Sequence, residues 1–297
     1  MLRGILAGVA AGALWGLVFV APRMTPGLSS IDLAAGRFVS FGLLSGLLML
    51  LGWRTLRWPT RRQALFAVLM SGLGFTGYYV LLVMAIRDLG TELPTLIIGT
   101  IPLWVMLLGK PQGLRWAALW PGLVLTSIGL GLMSQATLAL PSAADTAVFW
   151  RGMALASAAM ACWTAFALLN ASWLKRHPEV NASEWANWLG IATGLGAWGI
   201  WMFAGSESNM LLALDGRAWA AMICIATGLG SAWLATIFWN IASQRLSASL
   251  CGQLIVSETV FALLYSFAWD GHWPGAVQLA ACFLFVFGIL VSIKAHR

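Results

Sequence analysis

The sequence predicts an all-α integral membrane protein whose ten transmembrane helices form two inverted five-helix repeats. The first observation is composition: of 297 residues, 60% are hydrophobic and only 9% are charged. Soluble domains carry about a quarter charged residues, so a water-soluble protein is excluded. The second observation is a series of apolar runs of similar length, and the third is a set of short motifs that occur twice in the same order.

Each apolar run has about the 20 residues that a helix needs to cross a bilayer. The first run follows Arg3 and ends near Pro22, as a signal peptide would, but a similar segment recurs in mid-chain, where no signal peptide could lie. We therefore count it as the first helix. The runs cover roughly residues 3–22, 33–52, 64–86, 91–109, 116–135, 149–173, 185–204, 217–241, 247–268 and 274–293.

The repeat is visible as matched motifs in the two halves of the chain. Arg3-Gly4 recurs as Arg151-Gly152, and Trp15 recurs as Trp163, both 148 residues later. We therefore place the first five-helix repeat at residues 1–140 and the second at 141–297. Further matches in the same order are Ser30-Ile31-Asp32 with Ser183-Glu184, both N-cap-like helix starts, Gly72-Leu73-Gly74 with Gly228-Leu229-Gly230, and Ala85-Ile86-Arg87-Asp88-Leu89 with Ala242-Ser243-Gln244-Arg245-Leu246.

Because five is an odd number, the two repeats must face opposite ways in the bilayer, and the basic residues test this. With the N-terminus inside, 12 of the 17 Lys and Arg residues are cytoplasmic, as the positive-inside rule expects, and both termini are cytoplasmic. Inverted repeats are a recurring architecture of secondary transporters, with the substrate site near the midplane between the repeats. The predicted inner residues are Arg3, Arg54, Arg57, Arg61, Arg62, Lys110, Arg115, Lys175, Arg176, Arg245, Lys294 and Arg297, and the outer ones are Arg23, Arg37, Arg87, Arg151 and Arg217.

The placement of chemically active residues excludes several classes of function. The net charge is +7, but the basic residues lie between apolar runs, so we expect no nucleic-acid binding. No GxxxxGK[ST] motif is present, and no histidine lies inside a run. We expect no enzyme activity, no catalytic residue, no metal and no cofactor. The residues examined for such sites are His177, His272 and His296, in loops or the tail, and Cys162, Cys224, Cys251 and Cys282, which lack metal-binding spacing.

Polar and aromatic residues at membrane depth come mainly from runs 1, 3 and 4 and their repeat counterparts 6, 8 and 9. Trp15 and Trp163 are repeat partners, so an inverted repeat should bring them close together. Aromatic rings that line a cavity favour flat apolar or cationic ligands; the alternative is that they only fill volume. We expect the substrate-binding residues to be Trp15, Tyr78, Tyr79, Trp163, Trp239, Asn240, Gln253 and Glu258.

Glu258 is the one ionisable residue that the sequence places in the middle of a run. An intramembrane carboxylate indicates a functional site, here proton coupling or pairing with a substrate amine. The alternative is a protonated acid hydrogen-bonded to a neighbour such as Gln253 or Asn240. Since no Arg or Lys is expected deep in the membrane, a phosphate or nucleotide-sugar substrate is disfavoured. A neutral or zwitterionic solute suits this interior better.

Glycines and prolines predict how the helices pack and bend. Gly4, Gly8, Gly12 and Gly16 form a ridge that lets another backbone approach, and smaller ridges are Gly42 with Gly46 and Gly190 with Gly194. These faces could serve packing within the chain, packing between chains, or sliding during transport. Pro94 and Pro102 should kink the fourth run, which makes it a candidate wall of a cavity.

The residues resemble a known family, the drug/metabolite transporter superfamily of the EamA type, over the whole chain. The resemblance rests on the stretch Gly8 to Gly16 (GxxxGxLWG), its echo ending in Cys162-Trp163, Ala85-Ile86-Arg87 and Ser247-Ala248-Ser249-Leu250. In Ser257-Glu258-Thr259, threonine stands where the family often has proline, whereas the fourth run keeps Pro102. The ninth run is therefore not expected to bend as the fourth does.

Within this superfamily the chain looks most like the YddG aromatic amino acid exporters. The resemblance implies a bacterial inner membrane location and alternating-access export of aromatic or large neutral amino acids and related metabolites from a central cavity. Two alternatives stay open: a proton-coupled exporter of cationic drugs or other metabolites, and a non-transporting sensor or scaffold. The expected partners are a small-molecule substrate and the lipid bilayer, and the expected oligomeric state is a monomer.

Overall fold

The computed structural model describes residues 1–52, 54–89, 92–135, 146–207, 215–271, 273 and 275–296. The predicted repeat boundary at 140/141, His272 and Arg297 lie outside these residues. In the described ranges the chain is all-α, without a strand. The helices are α1 (Leu2–Gly16, continued by the 3₁₀ turn Leu17–Phe19), α2 (Ser30–Leu51), α3 (Arg61–Gly74 and Thr76–Leu89), α4 (Glu92–Gly99 and Ile101–Leu108), α5 (Trp116–Gln135), α6 (Thr146–Arg176), α7 (Ala182–Ala204), α8 (Arg217–Thr227, Gly228–Leu234 and Ala235–Arg245), α9 (Ala248–Asp270) and α10 (Ala276–Ala295). A short helix, Ala21–Met24, lies between α1 and α2.

Most of these helices are suited to a bilayer by length and composition. In the described part of the chain, seven are long and apolar enough to cross a membrane, namely α1, α2, α3, α6, α8, α9 and α10. Helices α4 and α5 are shorter apolar helices, and α7 is 23 residues long. The prediction of an all-α membrane protein is confirmed.

The first turns of α2 and α7 are fixed by side-chain caps that satisfy backbone N–H groups left free at a helix start. The Ser29 hydroxyl accepts a hydrogen bond from the Asp32 backbone N–H. In α7, Asn181 caps the Glu184 N–H, and the Glu184 carboxylate accepts from the Asn181 N–H. The caps therefore precede the predicted starts: Ser30 is the first helical residue of α2, and α7 begins at Ala182, before Ser183-Glu184.

Helices α3 and α8 are interrupted at the repeated Gly-Leu-Gly motifs. The α-helix of α3 ends at Gly74 and restarts at Thr76, with Phe75 outside helical geometry (φ −132°, ψ −84°). In α8, residues Gly228–Leu234 form a π-helix. Segments of π-helix are frequent at functional sites, and here both irregularities fall at matching places of the two predicted repeats.

The predicted break in α4 is confirmed, and α9 is continuous as expected. Two α-helices meet at Thr100, and Pro102 lies in the first turn of the second one, where its missing N–H is tolerated. The Thr100 hydroxyl donates to the Ile97 carbonyl oxygen at 2.6 Å. Helix α9 runs without interruption through Thr259.

Packing joins the two halves of the chain closely. Helix α2 packs along α7 and α5 along α10, while α1 packs on α8 and α9, and α6 packs on α3 and α4. At the α2–α7 crossing a Cβ atom added to Gly42 would lie 2.6 Å from the Cα atom of Gly194. Only glycine allows the two backbones to approach this closely. Gly46, by contrast, has nothing within 4 Å, so it is not part of that contact.

The glycine ridge of α1 is a packing surface for α9. Added Cβ atoms on Gly8 and Gly16 would clash with Leu254 and with Ala262. At Gly12 the added atom would meet the Ser257 side chain and lie 3.0 Å from the Glu258 backbone nitrogen. The ridge therefore serves packing within the chain, and it fixes Glu258 against α1.

Candidate functional site

Three tryptophans from three helices form a cluster in the interior. The ring centroids of Trp15 (α1) and Trp163 (α6) are 6.1 Å apart in a T-shaped arrangement. Trp239 (α8) lies 5.4 Å from Trp15 and 6.0 Å from Trp163. The prediction that the repeat partners Trp15 and Trp163 lie together is confirmed.

Further aromatic rings continue this cluster towards α3 and α2. Trp163 contacts Phe166 (5.9 Å), Phe166 contacts Phe75 (5.4 Å), and Phe75 contacts Phe38 (6.0 Å). Phe75 is the residue at the interruption of α3, so the end of its first helical part is embedded in aromatic rings. The result is an aromatic wall that crosses from one half of the chain to the other.

Members of the tryptophan cluster differ in exposure. Trp15 and Trp163 are half-buried, although both lie in the interior aromatic cluster, so part of each ring faces open space. Trp239 is 1% exposed, and its indole Nε1 has no hydrogen-bond partner. In this conformation Trp239 supports the other two rings from behind.

Asn240 and Gln253 are fully buried and hydrogen-bonded to other parts of the protein. Asn240 donates to the Ala182 carbonyl oxygen (3.1 Å) and accepts from Asn170 (3.2 Å). Gln253 donates to Thr126 (3.0 Å) and accepts from Ser292 (3.1 Å). These bonds connect α8 with α6 and α7, and α9 with α5 and α10. In this conformation both predicted binding residues therefore act between helices.

The alternative in which Glu258 is hydrogen-bonded to Gln253 or Asn240 is not seen in this conformation, where the two amides donate to Thr126 and to the Ala182 carbonyl oxygen. Glu258 is half-buried, and no described residue donates a hydrogen bond to its side chain. Its electrostatic neighbours are instead Arg37 on α2 and Tyr78 on α3. The sequence did not connect these three residues.

Arg37 corrects the expectation that no Arg or Lys lies deep in the interior. The sequence predicts Arg37 on the outer side because it stands near the start of the second run. Helix α2 in fact starts at Ser30, so Arg37 lies seven residues inside it, about 10 Å along the axis. There it interacts electrostatically with Glu258 and with Tyr78. The argument against an anionic group on the substrate no longer holds.

Tyr79 and Arg37 both line a small cavity. The Tyr79 hydroxyl donates to the Ser30 carbonyl oxygen at 2.5 Å, and the Tyr79 ring lies 6.3 Å from that of Phe38. The cavity beside it has a volume of about 150 Å³. It is lined by Val18, Ala21, Pro22, Ser30, Leu33, Ala34, Arg37, Tyr79 and Thr227.

A second cavity, of about 400 Å³, lies at the other end of the molecule, among residues predicted to be cytoplasmic. It is lined by Met1, Pro111, Gly113, Leu114, Arg245, Leu246, Ser247, Leu250, Ala295 and His296. None of the predicted binding residues borders it. We therefore interpret it as a surface vestibule.

In the described part of the chain, no three His, Cys, Asp or Glu residues are grouped as a metal site would require. The four cysteines are free thiols. Within the described residues the interior offers aromatic rings, the charged groups of Arg37 and Glu258, and buried amides such as Asn240 and Gln253.

Comparison with known proteins identifies the family. The sequence profile of the EamA-like transporter family matches residues 2–135. The inner membrane protein YtfF of Escherichia coli (strain K12) is 31% identical over 309 residues, covering 99% of this chain and 96% of the relative. The chain belongs to the EamA-like transporter family. A protein of known crystal structure, 21% identical to this EamA-like transporter, shares its fold with a TM-score of 0.75 over 99% of this chain and 97% of that chain.

The family and the apolar helices together establish location. This EamA-like protein is a multi-pass protein of the inner membrane. Sequence reasoning did not include Arg37 among the site residues, and it did not predict the cavity that Arg37 and Tyr79 line. The signal that could have revealed them is Ser29-Ser30-Ile31-Asp32: a helix capped at Ser29 places Arg37 two turns inside the span.

Proposed function

We propose that this EamA-like transporter exports aromatic or large neutral amino acids and related metabolites by alternating access. The observation that carries the proposal is the cluster of Trp15, Trp163 and Trp239. Helix α1, which carries Trp15, also packs against the backbone of Glu258, so the aromatic rings and the carboxylate belong to adjoining helices. The aromatic side chain of a substrate can stack on this cluster. Arg37 and Glu258 together match a substrate head group that carries one negative and one positive charge. The resemblance to the YddG exporters supports the same substrate class.

The proposed architecture is ten spans in two inverted repeats, residues 1–140 and 141–297, with cytoplasmic termini. The helix contacts support it: α2–α7 and α5–α10 pair each helix with its counterpart, and the contacts of α1 with α8 and α9 correspond to those of α6 with α3 and α4. A pseudo-twofold axis would produce this pattern. The family profile ends at residue 135, near the end of the first proposed repeat.

The matched Arg-Gly motifs support the same symmetry. A Cβ atom on Gly4 would contact Leu246 at the end of α8, and one on Gly152 would contact Leu89 at the end of α3. Leu89 and Leu246 are themselves the last residues of the matched motifs Ala85–Leu89 and Ala242–Leu246. In each proposed repeat, the glycine of the Arg-Gly motif thus packs against the leucine that ends the matched motif of the other repeat.

Not all predicted binding residues contribute equally to the proposed site. Half-buried Trp15, Tyr78, Trp163 and Glu258 would contact the substrate directly. Trp239, Asn240 and Gln253, all at most 1% exposed, would form the wall behind it and contact substrate only after the helices rearrange. The interruptions in α3, α4 and α8 supply points at which such a rearrangement can bend the helices.

The alternative substrate class, cationic drugs exchanged for protons, is favoured by Glu258, since a membrane carboxylate can carry a proton and attract a cation. Arg37 weighs against it, because a cation entering the same site meets a fixed positive charge. A sensor or scaffold without transport activity is eliminated if the purified protein moves any solute.

The deciding experiment is counterflow of labelled phenylalanine or tryptophan into proteoliposomes that contain the purified protein, with and without a pH gradient. Uptake without a gradient supports an amino acid facilitator. Uptake only with a gradient makes Glu258 the leading coupling residue. If neither amino acid is taken up in either condition, the proposed substrate class is wrong and cationic drugs are tested next.

A further inference from the structure

Arg37 is a cation in the membrane interior whose hydrogen-bonding capacity is not used by the protein. Its Nε atom is buried and has no hydrogen-bond partner, and no described residue forms an ion pair with its guanidinium. The guanidinium carbon lies 4.4 Å from the ring centroid of its neighbour Phe38, a contact that holds the group flat without occupying its N–H donors. Leaving the buried Nε–H donor unsatisfied is costly.

Glu258 does not satisfy the arginine either. Arg37 and Glu258 interact electrostatically, but in the described residues they form no direct ion pair. A helix pair held together by a structural salt bridge would bring the two groups into contact. The guanidinium of Arg37 and the carboxylate of Glu258 therefore each remain available to a third group.

The cavity beside Arg37 fits a small head group. Its volume is about 150 Å³, and apart from Arg37 its side-chain polar groups are the hydroxyls of Ser30, Tyr79 and Thr227. Such a space accepts a carboxylate, whereas a nucleotide sugar is far larger. Guanidinium groups bind carboxylates through two parallel N–H···O bonds, which is the capacity that Arg37 has free.

We propose that Arg37 binds the carboxylate group of a zwitterionic substrate, while Glu258 receives its ammonium group. This proposal rests on the proposed function of amino acid export and names the recognition element of that site. It explains why Arg37 and Glu258 interact electrostatically without forming a direct ion pair. The substrate completes both pairs, so a molecule that lacks either charge binds more weakly.

Binding to purified protein in detergent tests the proposal with three ligands. They are phenylalanine, 3-phenylpropionate, which has the carboxylate but no amine, and phenethylamine, which has the amine but no carboxylate. In Arg37→Gln, affinity for the two carboxylates should fall about ten- to hundredfold, as expected for a lost charged hydrogen-bonded pair. Phenethylamine should bind at least as tightly as to the wild type, because the like charge that opposes its ammonium group is gone. Arg3→Gln, an exposed arginine, is the matched control and should bind as the wild type does.

Several results would overturn the carboxylate site. Wild-type protein that binds neither carboxylate, or an Arg37→Gln protein that binds both normally, removes it. If the double variant Arg37→Gln/Glu258→Gln binds phenylalanine and 3-phenylpropionate as tightly as the wild type does, the role of Arg37 is only to offset the charge of Glu258. Should Arg37→Gln fail to fold, wild-type protein decides, since 3-phenylpropionate must protect Arg37 from phenylglyoxal; absence of protection overturns the proposal.

Failure of the proposed function gives a different pattern. If 3-phenylpropionate binds in an Arg37-dependent manner but phenylalanine shows no counterflow, the carboxylate site stands and amino acid export falls. If phenylalanine counterflow is normal in Arg37→Gln, export stands and the role of Arg37 falls.

Discussion

Asp32 and Glu184 hold matching positions in the first turns of α2 and α7, and each accepts a backbone hydrogen bond from the segment that follows the other helix. Asp32 accepts from the Ser206 N–H at 3.0 Å, and Glu184 accepts from the Arg57 N–H at 3.2 Å. The two helices must therefore run antiparallel. Each carboxylate also lies at a helix N-terminus, where the partial positive charge stabilises it.

Replacing Asp32 should destabilise the protein more than replacing an exposed acid. Asp32 also accepts from the Trp201 indole at 3.0 Å and from the Ser206 hydroxyl at 2.6 Å, and an amide cannot accept all of these bonds. Asp32→Asn should lower the free energy of unfolding by about 1–3 kcal/mol. Thermal unfolding in detergent measures the change, with exposed Asp215→Asn as the control. Equal melting temperatures for the two variants would contradict this account.

Alanine at two glycines of the same helix should have opposite effects. In Gly42→Ala the new Cβ atom would meet the Gly194 backbone at 2.6 Å, so the α2–α7 contact must separate, at a cost of about 1–3 kcal/mol. In Gly46→Ala nothing lies within 4 Å, and the better helix propensity should stabilise by about 0.5–1 kcal/mol. Unfolding of both purified variants is compared. A loss of stability in Gly46→Ala alone would show that the crossing point is elsewhere.

Removing aromatic rings of the site should impair transport without impairing folding. An aromatic contact contributes about 0.5–1.5 kcal/mol, so Trp163→Ala or Tyr78→Ala should weaken phenylalanine affinity about two- to tenfold. Counterflow in proteoliposomes gives the affinity, and membrane insertion is checked by yield. Phe283→Ala, at a ring that is 74% exposed, is the control. Unchanged uptake by Trp163→Ala and Tyr78→Ala would remove both from the site.

Glu258→Gln separates coupling from binding. If Glu258 carries the proton, the variant should lose uptake driven by a pH gradient. Counterflow needs no net proton movement, so it should persist at saturating phenylalanine, but with a higher half-saturation concentration because the proposed partner of the ammonium group is lost. Exposed Glu207→Gln should behave as the wild type. If gradient-driven uptake survives in Glu258→Gln, the carboxylate has no coupling role.

The ion pair between Arg151 and Asp88 lies at the end of the helices predicted to face outward, and it should hold that end closed. Two hydrogen bonds of 2.8 and 2.7 Å join α6 to the end of α3, whereas the matching residues of the other repeat, Arg3 and Arg245, are both cations. Arg151→Gln should therefore increase the reaction of an introduced Thr227→Cys thiol with a membrane-impermeant reagent added from outside. The charge swap Asp88→Arg with Arg151→Asp should restore the slow rate. No change with either variant would show that the pair is not a closure.

The approach of Trp15 to Trp163 illustrates what motif spacing can predict. In an inverted repeat, matched residues near the midplane can approach each other across the symmetry axis. A motif match between the two halves therefore predicts a contact between Trp15 and Trp163. The break of α4 was likewise predictable, because Pro102 cannot continue a helix from the preceding turn. The hydrogen-bond partners of Gln253 and Asn240 were not, because a buried amide can reach any of several helices and the sequence does not say which helix lies beside it.

Composition and periodicity, which act locally along the chain, are enough to predict the class of protein, the helical runs, the duplicated motifs and the aromatic character of the interior. The electrostatic contact of Arg37 with Glu258 and Tyr78 could not be predicted in this way, nor that Gly42 rather than Gly46 marks the α2–α7 crossing. Depth and contact depend on where a helix starts and on which face it turns to its neighbours. Both are set by caps and packing between segments distant in the chain.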